Sequence, residues 1–165
     1  MSQELFQTKQ AILQAILLGG FSAGVLDFTG ACVSNAARGV TPLRVAQSVA
    51  SGVLGAKAFQ APAQGGYRTA ALGVALHFLI AFGAATVFCL ACLKLRWLAE
   101  HPWQTGALYG VAVYWFMQLV VLPLSAIAFK RSFAWRIVLT GLIVHVLCVG
   151  WPIAWAAYWR LNSSR

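Results

Sequence analysis

Apolar residues dominate four long stretches of the chain, about 11–33, 67–93, 104–128 and 135–159, and short polar strings separate them. Each run reaches the ~20 apolar residues that a helix needs to cross the hydrocarbon core of a bilayer. The pattern therefore predicts an all-α, polytopic membrane protein with four transmembrane helices. A fifth pattern lies in the first loop, where Leu43, Ala46, Ala50, Val53 and Lys57 recur at helical spacing behind Thr41 and Pro42, a helix-start signal. This segment, about 42–59, carries Arg44 and Lys57 and is too short and too charged for a span. It reads as a short interfacial or re-entrant helix.

Composition closes off the soluble classes: 61% of residues are hydrophobic and 9% charged, with a mean hydropathy of +0.77, outside the range of soluble domains. At 165 residues the chain has room for a single integral membrane domain spanning 1–165. The formal net charge of +9 would suit nucleic acid, but the twelve Lys and Arg residues fall in short clusters between apolar runs. There they meet lipid headgroups, and no basic stripe or aromatic platform accompanies them. The expected partner is the lipid bilayer and not nucleic acid. The opening MSQELFQTKQ lacks the basic region, short apolar core and small-residue site of a cleaved signal peptide, so the first span is expected to stay.

Tryptophans sit at the expected interfaces, with Trp97, Trp103, Trp155 and Trp159 at one set of span ends and Trp135 at the other. Loops one and three carry Arg38, Arg44, Lys57, Arg68, Lys130, Arg131 and Arg136, whereas the other face carries Lys9, Lys94, Arg96, Arg160 and Arg165. Counted alone, this small excess would put the termini outside the cytoplasm. An interfacial helix in loop one makes its charges poor guides to orientation.

The two halves of the chain show a faint repeat. Span one carries Gly20 and Gly24 and span three carries Gly106 and Gly110, while span two pairs Gly73 with His77 and span four pairs Gly141 with His145. A spacing of four keeps each pair on one helix face, and small residues there let backbones approach. These six glycines are the predicted packing positions. Order and spacing suggest two hairpins related by an axis along the membrane normal. Small stripes left over after packing within the chain would pair subunits, which predicts a homo-oligomer, most simply a dimer.

Asp27 is one of three acids in the chain and lies inside span one. It shares a stripe with Gly20, Gly24 and Ala31, just as His77 shares one with Gly73 and Ala81, and His145 with Gly141 and Cys148. Ionisable groups in membrane helices face the bundle interior almost without exception. At ~1.5 Å of rise per residue, Asp27, His77, Gln118 and His145 all come to roughly 10–15 Å from the same face. They form one expected polar layer, a ligand or proton site. A pure fastener would be made more cheaply from Asn or Ser, since an acid at depth costs at least ~2.5 kcal/mol. The layer thus points to binding or conducting a small cationic or polar species with proton linkage. The alternative is a structural or accessory protein in which the layer only joins helices.

Other chemistries fit less well. Cys89 and Cys92 lie in the apolar last turns of span two, with Cys32 and Cys148 distant in sequence, and read as small apolar filler. No tight Cys and His cluster suggests a metal, and no activated nucleophile suggests catalysis. No cofactor is predicted. Haem b between His77 and His145 is the third reading, since two axial His on two helices satisfy its minimum; the acid in the same layer and the lack of a propionate-binding Arg within the spans speak against it.

The run PWQTGALYGVAVYWFMQLVVLPLSA, with GVALHFLIAF before it and HVLCVGWPIA after it, resembles the YagU-like group of bacterial inner-membrane proteins, and the similarity is spread over all four spans. SAGVLDF and PLRVAQSVASGVLGAKAF resemble segments of small bacterial membrane proteins of the same layout. The resemblance implies a bacterial plasma-membrane location with both termini in the cytoplasm, opposite to the charge count. It supplies no activity.

Overall fold

A computed structural model describes residues 2–59, 66–126 and 134–162, with side chains from residue 7 onward. The chain is all-α, and four helices are long and apolar enough to cross a membrane: Gln7–Ala36, Tyr67–Lys94, Pro102–Leu124 and Trp135–Asn162, here spans one to four. The helix of span one begins at Ser2, well before the apolar run, because Gln, Glu, Leu and Lys are all good helix formers. Span three stops at Leu124, short of the expected 128, because Pro123 cannot prolong a helix and Ser125 turns extended, with φ −84° and ψ 163°. The basic string after it, with Lys130 and Arg131, lies outside the described residues, as does most of APAQGG.

The interior is built from small residues. Ala15, Ala23, Ala85, Ala154 and Ala157 are buried together with Phe88 and Ile153, whereas Leu13, Phe21, Leu79, Val87 and Leu108 lie on the outside. A soluble bundle would reverse this. In lipid, tails solvate large apolar side chains as well as a core does, and close backbone packing provides the association instead.

Span one packs along spans two and four, and span three packs against span four. Gly20 and Gly24 of span one receive the rings of Phe82 and Phe78 from span two. In the second hairpin the backbones themselves meet: a Cβ on Gly110 would stand 2.6 Å from Val146 Cα, and one on Gly150 would overlap the Gly106 carbonyl oxygen. Gly141 receives the ring of Tyr114. Spans two and three, although consecutive, touch chiefly through Tyr109. Its hydroxyl donates to Ala84 O at 2.7 Å, and its ring lies 4.9 Å from that of Phe88.

The loop-one helix runs Pro42–Leu54 and is capped by Thr41, whose hydroxyl accepts from the Arg44 N–H. A 3₁₀ turn, Gly55–Phe59, continues it. Rather than lying free on the surface, it buries Val45, Ala46, Ala50 and Ser51 against span two. Gly73 makes this seat, for a Cβ there would overlap the Ala46 carbonyl oxygen. The Ala126 N–H donates to Gly52 O at 2.8 Å and ties the end of span three to the same helix. The loop-one helix and the end of span three thus share one face of the bundle. On the opposite face, Asn162 Nδ2 donates to Ala99 O at 3.3 Å and joins loop two to the end of span four.

Two helices are interrupted by π-turns. Met117–Val121 in span three and Val146–Gly150 in span four each widen to π geometry, and each is followed, two residues later, by a proline: Pro123 and Pro152. Proline cannot donate to the carbonyl four residues back, and its ring crowds that carbonyl. A wide turn immediately upstream accommodates the missing donor and the crowded carbonyl.

Candidate functional site

Asp27 of span one, His77 of span two and His145 of span four line one cavity of about 100 Å³ near the middle of the bundle. Its apolar wall includes Val49 from the loop-one helix and Val113 and Met117 from span three, so every long helix and the loop-one helix contribute to it. Stripes of small residues bring the three ionisable groups inward, because each lies one turn from a glycine or alanine at which helices approach.

The hydrogen bonds fix the histidine tautomers. His77 Nε2 lies 2.9 Å from Gly24 O across to span one, and His145 Nδ1 lies 2.9 Å from Gly141 O one turn back in its own helix. A carbonyl oxygen only accepts, so both of these nitrogens carry protons. In the neutral rings that leaves Nδ1 of His77 and Nε2 of His145 as acceptors. Phe28 meets the His77 ring edge-on at 5.5 Å, and Tyr114 meets the His145 ring at 5.4 Å. These aromatic contacts hold the imidazoles in place.

Asp27 is half-buried and makes no hydrogen bond or ion pair with any described residue; Cys148 is within its electrostatic reach. The cavity therefore holds one carboxylate without a countercharge beside two imidazole acceptors. About three waters would fill it, at ~30 Å³ each. The chemistry on offer is acceptance of hydrogen bonds and of positive charge.

No family model, curated protein or solved structure matches the chain.

Gln118 stands apart from this group. The sequence places it at the depth of the other three, but the cavity is lined by its neighbour Met117 and not by Gln118. Consecutive residues of a helix face directions about 100° apart, so depth alone does not place a side chain on an inner wall. His145 immediately precedes the π-turn of span four, and Met117 opens that of span three. Such turns gather at functional sites. The sequence signal for them was present in Pro123 and Pro152, though a proline alone does not distinguish a π-turn from a kink.

Among the described residues, no three His, Cys, Asp or Glu side chains are grouped so as to hold a metal ion. For the haem reading, the cavity at about 100 Å³ lies below the ~300 Å³ at which cofactor sites begin, and His77 Nε2 lies 2.9 Å from Gly24 O. Cys89 and Cys92 are unpaired thiols buried in the core cluster. They are not among the residues that line the cavity.

Proposed function

We propose that this multi-pass membrane protein binds a small cationic species in its central cavity and passes it with linkage to protons. The observation that carries this reading is the convergence of Asp27, His77 and His145, from three different spans, on one chamber. An acid inside a bundle is costly, and its lack of a countercharge favours an external cation as its partner. Protonating either imidazole removes an acceptor and adds a competing positive charge. Cation binding is therefore expected to weaken as pH falls.

The test is methylammonium binding or uptake by the protein in liposomes, across pH 5–8, where imidazole ordinarily titrates. Asp27→Asn keeps shape and hydrogen bonding but removes the charge; it is expected to fold and to lose at least tenfold in affinity. His77→Gln and His145→Gln are expected to flatten the pH response. If all three variants keep the wild-type response, the proposal fails.

A second reading has its own support. His77 bridges span two to the Gly24 carbonyl of span one, and on that reading the polar groups only join helices. Asp27→Asn would then leave function intact and stability equal or slightly higher, since a buried charge has gone. By the YagU-like resemblance, we place the protein in a bacterial plasma membrane with cytoplasmic termini.

A further inference from the structure

Spans two and three diverge below the Tyr109 contact and leave an apolar cleft of about 550 Å³ between them, lined by Gly83, Val87, Ala112, Phe116 and Val121 among others. Four residues, Ile80, Ala84, Val113 and Met117, line both this cleft and the polar cavity. A second apolar pocket continues toward the loop-one helix, which supplies Ser48, Val49 and Gly52 to its wall. Tyr109 lines the cleft, and the loop-one helix lines the pocket that adjoins it. Val87, Leu108 and Phe116 are all more than half exposed on the outer surface, so the cleft opens sideways, where lipid tails would be.

The polar end selects the head that could occupy it. It offers three acceptor groups, the Asp27 carboxylate, His77 Nδ1 and His145 Nε2, and the two ring N–H donors are already spent on backbone carbonyls. A primary ammonium is the complement: three N–H donors, no acceptor and one positive charge. A hydroxyl has one donor and no charge to set against Asp27. A volume of 100 Å³ admits such a head but no bulky one. The adjoining cleft is suited to an unbranched apolar tail, and ligand sites of 300–1,000 Å³ with few polar groups are ordinary for drug-sized molecules.

We infer that the species bound is a single-chain amphiphilic primary amine that enters from the bilayer between spans two and three, with its ammonium at Asp27 and its tail in the cleft. This rests on the cation-binding reading above and adds the tail and the lateral route. Met117, flexible and at the junction, is the side chain that must move aside as the head passes.

The experiment uses the full chain in phosphatidylcholine nanodiscs and decylamine carrying a photoreactive diazirine at mid-chain. Labelling is expected to concentrate on peptides covering 80–87 and 109–121, and excess decylamine, but not decanol, should reduce it at least tenfold. Asp27→Asn should reduce it as much. Ala84→Phe narrows the junction; because it also risks the Tyr109 contact, Val87→Trp, on the exposed rim, serves as a second block. Both should lose tail labelling, while Leu79→Trp, exposed but outside the cleft and cavity linings, should keep labelling and methylammonium binding within twofold of wild type. Labelling spread evenly over the lipid-facing helices, or unchanged in Asp27→Asn, overturns the inference. If methylammonium still binds in an Asp27-dependent way in that case, the cation-binding proposal stands without the tail. If methylammonium does not bind at all, both fall.

Discussion

Gly73 and Gly83 sit in the same helix and offer the sharpest test of the packing described above. A methyl group on Gly73 would overlap the backbone carbonyl of Ala46, and the Ala50 backbone nitrogen would lie 3.2 Å away; a methyl on Gly83 would meet nothing within 4 Å. Backbone cannot rotate aside as a side chain can, so Gly73→Ala must push the loop-one helix off span two. Overpacking of this kind costs ~1–3 kcal/mol. Converted at ~1.4 kcal/mol per tenfold, the undocked population should rise by roughly 5- to 150-fold. Ser51 is 2% exposed in the docked state, which makes Ser51→Cys a reporter of undocking. Its reaction with a soluble maleimide, read by peptide mass so that native cysteines can stay, should accelerate by that factor in the Gly73→Ala background. Gly83→Ala should leave the rate unchanged and, by helix propensity, stabilise span two by up to ~1 kcal/mol. Equal labelling rates in the two backgrounds would refute the seat at Gly73.

Three further outcomes are expected. Tyr109→Phe removes the hydroxyl that donates to Ala84 O and should cost about 0.6–1.7 kcal/mol, the range for hydrogen bonds between membrane helices, measured by unfolding in mixed micelles. Reporter fusions after Ala61 and Arg131 should agree with each other and oppose a fusion after Glu100; any other pattern removes the four-span topology. We propose a homodimer, and native mass measurement in mild detergent should find twice the mass of one 17.7 kDa chain, whereas a strictly monomeric particle that binds methylammonium would end that idea.

The four spans were legible because the signal is one of length and composition, and bilayer thickness leaves little freedom in either. Asp27, His77 and His145 could be singled out because a rise per residue gives depth and a stripe of small residues gives facing. Gln118 met only the first condition, and Met117, with no polar atom to attract notice, took the wall position instead. The cleft between spans two and three depends on how four helices distribute their contacts, which no single helix encodes. The loop-one helix was visible from its periodicity and its Thr41 cap, and Gly73 was marked as a packing position, but the sequence does not say that the partner packed there is the loop-one helix and not another span.

The π-turn of span four also sets the phase of everything after it. His145, Val149, Ile153 and Ala157 advance by fours, and in an unbroken α-helix three such steps would drift about 120° around the axis. One extra residue in the turn takes back about 100° of that. The wall of the cavity and the core beyond it therefore lie on one side of the same helix. For Val146–Gly150, the π geometry then matters more than residue identity. Straightening the turn to α geometry at constant length would swing Ile153 and Ala157, both fully buried, by about 100° toward lipid, whereas deleting one residue along with the turn, or a substitution such as Leu147→Ile, would leave the alignment intact. A segment with nothing chemical to mark it would tolerate replacement and even the loss of its extra residue, but not straightening.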